Sequence, residues 1–99
     1  MNTLIRTDRF LSWVKGIKDP VARAAIATHL DRMTLGTFGN AKSLKGGLYE
    51  MRIDVGVGYR LYYTQRGLTT YLLLCGGDKR KQDRDIRLAR EMIKQLKED

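Results

Sequence analysis

The sequence has one cysteine, one proline, one histidine and one tryptophan, and each scarcity excludes something. A lone thiol, Cys75, rules out an intramolecular disulfide framework and fits a reducing compartment. One cysteine with one histidine, His29, is too few soft ligands for a zinc site, and no cofactor-binding motif is expected. No apolar run approaches the roughly 20 residues of a membrane-spanning helix, and Met1–Arg6 lacks the apolar stretch of a secretory signal. No Ser/His/Asp set, Cys/His pair or nucleotide-binding glycine loop is present. Repeats and low-complexity tracts are absent too.

What remains is one small domain over residues 1–99, 42% hydrophobic and strongly basic at a net +8. That hydrophobic share suffices for a core. The basic excess is not confined to a tail. Residues 1–41 carry six basic and three acidic side chains, 42–77 five and two, and 78–99 eight and six. Cations on folded structure point to an anionic partner, and a merely solvated basic surface is the simpler alternative.

The periodicity orders the elements. Thr3–Arg6 suits an edge strand. Thr7 or Asp8 can cap a helix with Phe10, Trp13, Val14 and Ile17 on its apolar side, ending near Lys18. Asp19-Pro20 starts a second helix to about Leu35, with Ala22, Ala25, Ile26, Leu30 and Met33 as its stripe and Gly36 as its stop. Two helices so closely joined are expected to form an antiparallel hairpin. Gly36–Gly47 reads as a loop. Leu48–Val55 alternates, with Tyr49, Met51 and Ile53 on one face and Leu48, Glu50, Arg52 and Asp54 on the other. Tyr59–Thr64 and Thr69–Cys75 follow as strands, the second broken by Gly76-Gly77. A last helix spans about Gln82 to Lys97 on Ile86, Ala89, Ile93 and Leu96. The expected fold is α+β: an N-terminal helical hairpin packed on a small antiparallel sheet, with a C-terminal helix.

His29, Phe10, Trp13 and Cys75 read most simply as structural residues. The strand pair is more informative. A loop at Val55–Val57 would set Arg52 directly across from Arg60, whereas a two-residue turn would place an apolar residue there. Facing like charges destabilise a sheet and are tolerated where an anion is held. Lys79-Arg80-Lys81 follows the third strand, and Lys42 and Lys45 lie on the loop entering the sheet. These cations, with tyrosines for stacking on bases, suit RNA, unless they are solvated charges alone.

Several segments occur together in a familiar order: Phe10-Leu11-Ser12-Trp13, Ile17-Lys18-Asp19, Gly39-Asn40-Ala41-Lys42-Ser43-Leu44, Leu48-Tyr49-Glu50-Met51-Arg52-Ile53, Gly58-Tyr59-Arg60-Leu61-Tyr62-Tyr63, and Gly76 through Ile86. Across nearly the whole chain they resemble the RelE/ParE superfamily of bacterial type II toxin–antitoxin toxins, most of all its HigB-like branch. The resemblance implies a RelE-like fold and a cytoplasmic, metal-independent endoribonuclease. Such an enzyme cuts messenger RNA on the ribosome and inhibits translation. A small cognate antitoxin, often with a helix-turn-helix, would neutralise it. The resemblance implies catalytic roles for Arg52, Arg60 and Lys79, with Lys45 for proton transfer and Tyr62 for base stacking, and RNA binding by Lys42, Arg80 and Lys81. It departs in one place: RelE has a tyrosine after the terminal basic motif, where the nearest residues here are Asp85 and Ile86. Two alternatives stand beside this expectation, a ParE-like DNA gyrase poison without nuclease activity and a non-catalytic nucleic-acid-binding module.

Overall fold

The computed structural model describes residues 1–98. Its elements run β1 (Thr3–Arg6), α1 (Asp8–Gly16), α2 (Pro20–Thr34), β2 (Asn40–Ser43), β3 (Tyr49–Ile53), β4 (Tyr59–Gln65), β5 (Thr70–Asp78), a single 3₁₀ turn at Lys79–Lys81, and α3 (Gln82–Glu98). The fold is α+β, and one five-stranded sheet of order β1-β5-β4-β3-β2 organises it.

Both N-terminal helices start where side chains can cap them. The Thr7 hydroxyl accepts from the Phe10 N–H at 3.1 Å, and the Asp19 carboxylate accepts from the Val21 N–H at 2.9 Å, with Pro20 at the first helical position. Joined through Ile17–Asp19, α1 and α2 cover one face of the sheet. Phe10, Ile26 and Met33 meet Met51, Ile53, Leu61 and Leu73 there. Helix α3 covers the other face, where Ala89 and Ile93 meet Leu48, Tyr62, Leu72 and Leu74. Both faces are thus buried, so β5 has no polar side to alternate with.

Three expectations are corrected. The sheet is mixed: β1 runs parallel to β5, pairing Thr3 with Thr70 through Arg6 with Leu73, while the remaining pairs are antiparallel. The segment from Gly36 to Gly47 is not all loop, because Asn40–Ser43 forms β2 on the outer side of β3. Finally, Gly76-Gly77 does not end its strand. β5 continues to Asp78, pairing Gly76 with Leu61 and Gly77 with Arg60.

The glycines belong inside β5 for a packing reason. The register slips between Tyr62/Tyr63 and their partners Cys75 and Leu73, leaving Leu74 as the extra residue of a bulge. The bulge turns both Leu74 and Cys75 towards α3. It also brings Gly76 under the Trp13 ring and Gly77 under the Asp85 carboxylate, and a Cβ at either position would overlap those side chains. Gly76→Ala should therefore cost about 1–3 kcal/mol through forced repacking. Gly16→Ala, at a site with open space, should be neutral or stabilising by up to about 1 kcal/mol. Urea denaturation of both variants measures the contrast.

Candidate functional site

The turn between β3 and β4 decides the site's geometry. Gly56 and Gly58 take positive φ values of 54° and 83°, and the Gly58 N–H donates to the Val55 carbonyl at 2.9 Å. This closes the loop at Val55–Val57 and places Arg52 directly opposite Arg60. The end of β5 lies beside them, with Asp78 across from Tyr59, so Lys79 arrives at the same rim. Arg52, Arg60 and Lys79 line one dimple of about 20 Å³ together with Asp54 and Tyr59. A dimple of this size admits a single small group.

The two facing arginines do not repel freely, because each meets a carboxylate. Arg60 Nη1 donates to Glu50 Oε1 at 3.0 Å, and Arg52 Nη2 lies 3.9 Å from Asp54 Oδ2. Glu50 is 0% exposed and Arg60 15% exposed by side chain. Glu50 Oε2 also accepts from Gln82 Nε2 at 2.9 Å, and Lys42 Nζ lies 3.8 Å from Oε1. One buried carboxylate thus ties β2, β4 and the start of α3 to β3. Glu50 and Gln82 were not singled out from the sequence. Glu50 sits at a polar position of an alternating strand, and only the long-range cover of α3 converts that position into a buried one.

The remaining expected residues separate. Lys42 stands on β2 opposite Glu50 and within reach of the same cluster. Arg80 and Lys81 lie just past Lys79 on the adjacent groove. Arg80 is held by Asp78, with Nη2 to Oδ2 at 3.0 Å. Lys45 is a correction. It sits in the turn before β3, at the end of that strand away from the dimple, and the length of β3 alone separates the two by about 13 Å. Its φ is +73°, and its carbonyl accepts from Arg90 Nη1 at 3.1 Å, so its place is structural. Tyr62 is a second correction. It is 0% exposed beneath α3, so no base can stack on it. Among the described residues its hydroxyl has no well-formed hydrogen bond, and burial, with Glu50 and Asp85 adding to it, pushes the phenol far above its usual range.

The other singled-out residues have plain structural places. His29 Nδ1 lies 2.8 Å from the Ala25 carbonyl of its own helix. Cys75 is buried, its thiol pushed up to about 12 by desolvation and by Asp85, which makes it a poor nucleophile. Trp13 is only half-buried and lines a groove between α1 and α3. Among the described residues no group of three or more His, Cys, Asp or Glu side chains could hold a metal ion, and no helix is long and apolar enough to cross a membrane.

Removing Glu50 should be the most damaging single change here. Glu50→Ala strands the Arg60 guanidinium and should cost about 3–5 kcal/mol. Glu50→Gln, which keeps the shape and part of the hydrogen bonding, should cost less, and paired denaturation curves give the order. A second expectation concerns Asp85, whose carboxyl burial holds above the usual carboxylate range. A raised native pKa means that the folded state binds this proton more tightly than the unfolded one. The ionised form is therefore a penalty at neutral pH, relieved as pH falls through the native value towards the unfolded value of about 3.9. Asp85→Asn should be at least as stable as the parent at pH 7, and its advantage should shrink on acidification. Thermal melts across that range check the trend.

No family model matches this chain. It is 41% identical over 87 residues, covering 88% of each chain, to an uncharacterized protein of Haemophilus influenzae. At that identity and coverage, the chain belongs to the same family as this Haemophilus influenzae protein.

Proposed function

We propose that this protein is the toxin of a type II toxin–antitoxin pair, a metal-independent endoribonuclease of RelE/ParE type acting on ribosome-bound messenger RNA in the cytoplasm. The observation that carries the reading is the meeting of Arg52, Arg60 and Lys79 in one dimple at the rim of the sheet, from three separate segments. The resemblance of the ordered motifs to the HigB-like branch supplies the reaction class.

The chemistry fits those side chains. The RNA 2′-oxygen attacks the adjacent phosphorus, the bond to the 5′-oxygen breaks, and a 2′,3′-cyclic phosphate and a 5′-hydroxyl result. Arg52 and Arg60 offer fixed positive charge where the phosphorane gathers negative charge. Because Glu50 orients Arg60 from below, the guanidinium need not reorganise as that charge develops. Lys79 is exposed and makes no ion pair among the described residues, so its ammonium can protonate the leaving oxygen. Asp54, which the sequence reading did not single out, supplies a carboxylate at the same dimple to accept the 2′-proton. Lys42 and the net charge of +8 would assist encounter with ribosomal RNA, an attraction that falls with added salt. The cognate antitoxin would be a small protein, helix-turn-helix in type, encoded beside the toxin.

One observation favours a second reading. Arg60 is already neutralised by a buried carboxylate, as suits a structural cation in a non-nucleolytic, gyrase-directed toxin. Expression in cells separates the two. Translation arrest with cut messages supports the nuclease, and a DNA-damage response with intact messages supports the poison. In a translating extract, Arg60→Ala should lower message cleavage by about 10²–10³-fold, and Asp54→Asn by about 10²-fold or more. Full cleavage by folded Arg60→Ala protein would refute the assignment.

A further inference from the structure

Resting on the ribonuclease reading, we propose that the groove between α1 and α3 is a nucleobase subsite in which Asp85 selects an amino-bearing base over uracil. The groove follows from unequal strand lengths. β1 pairs with β5 only as far as Leu73, while β5 continues to Asp78. Beyond Leu73 the edge of β5 has no neighbouring strand among the described residues, and α1 and α3 stand on either side of it. Two adjoining hollows of about 830 and 470 Å³ share Ser12, Trp13, Gly76, Arg84 and Asp85. The smaller one reaches Tyr59, which also lines the Arg52–Arg60–Lys79 dimple. A nucleotide next to a phosphate in the dimple would therefore enter the groove. Each hollow by itself lies within the usual volume range for a small-molecule site.

The lining matches such a ligand. Trp13 and Tyr59 provide aromatic wall, their ring centroids 6.4 Å apart. Arg9, Arg84 and Lys81 offer positive charge for phosphate. Asp85 is the specific element. Its side chain is 7% exposed, and it borders both hollows. Its Oδ2 rests over Gly77, shut from solvent and without a hydrogen-bond partner among the described residues, so Oδ1 is the oxygen a ligand can reach, and Arg84 Nε approaches it only to 4.0 Å. An unsatisfied buried carboxylate is costly, and a ligand that brings a donor relieves the cost. Adenine, cytosine and guanine each carry an exocyclic amino group to donate. Uracil has no amino group, and its one edge donor, N3–H, lies between two carbonyl oxygens that a carboxylate repels.

Trp13 is the only tryptophan, so its fluorescence reports the groove directly. The full chain is titrated with 5′-AMP, 5′-CMP, 5′-GMP, 5′-UMP and inorganic phosphate. We expect at least one amino-bearing nucleotide to shift the emission with an affinity about tenfold or more above that of 5′-UMP. Asp85→Asn should abolish that preference, and Arg84→Ala should weaken all four nucleotides alike. Equal binding of 5′-UMP, an unchanged preference in Asp85→Asn, or phosphate competing as well as any nucleotide would overturn the proposal. So would the absence of binding, or an acidic extended peptide occupying the groove while nucleotides have no effect. Arg60→Ala should keep the mononucleotide preference while losing message cleavage. Binding without cleavage in the parent would sink the ribonuclease reading alone, and cleavage without base preference would sink the subsite alone.

Discussion

The Glu50 carboxylate is the constraint on which the rest of the site depends. A fully buried charge is tolerated only when its neighbours are placed for it. Those neighbours here are Arg60 on β4, Gln82 at the start of α3 and, at longer range, Lys42 on β2. The position of the central cation and the seating of the last helix are therefore coupled. α3 cannot lift away without uncovering Glu50, and Arg60 cannot swing towards solvent without abandoning it. The pairing of Glu50 with Tyr62 across β3 and β4 adds to the tightness, since Tyr62 is sealed beneath α3 with no well-formed hydrogen bond to its hydroxyl among the described residues. The site is stiff because its polar groups have few other places to go.

What was legible in the sequence was local. Caps at Thr7 and Asp19 and the stripes of the helices are set within a few residues, and the choice between a Val55–Val57 loop and a two-residue turn, left open by the sequence, decided whether Arg52 faces Arg60. What was not legible depends on distant partners. β1 is four residues long, and nothing within Thr3–Arg6 states that it will lie parallel to β5. Asn40–Ser43 has no apolar alternation because it is an exposed edge strand, paired only on the side of β3. Gly76-Gly77 has the composition of a turn, but the requirement for glycine comes from Trp13 and Asp85, which reach it from opposite faces. Tyr62 shares its strand face with Arg60, and only α3 decides that one is sealed and the other reaches the rim. Lys45 was grouped with the other cations by its place in the chain, and the turn carries it to the far end of β3.

The like-charged rung also takes a different meaning in three dimensions. Two facing arginines suggest a vacancy waiting for an anion. In the structure each already has a carboxylate, one buried and one exposed. The two pairs differ in consequence. The exposed Arg52–Asp54 contact is long and screened by solvent, so it yields readily to a phosphate. The Glu50–Arg60 pair is short and buried, so it acts as a mount that aims one cation while Arg52 and Lys79 remain free to close on a ligand. A site with one fixed and two movable cations suits a phosphate whose charge grows during a reaction better than one that is merely held.

The groove beside that site is a consequence of topology. A four-residue β1 cannot flank a nine-residue β5 along its whole length. The remaining edge carries two glycines, so no side chain from Gly76 or Gly77 fills the gap between the helices on the two faces. Trp13 leans over from one side and Asp85 from the other, and neither covers the edge completely. The bulge at Leu74 is what sets Gly76 and Gly77 in the phase that admits those two side chains. Were the strand regular, Cys75 rather than Gly76 would face α1, and the Trp13 ring would have no room to lie against β5. A single extra residue in the sheet thus creates both the aromatic wall and the place for a buried acid, next to the rim where the cations converge.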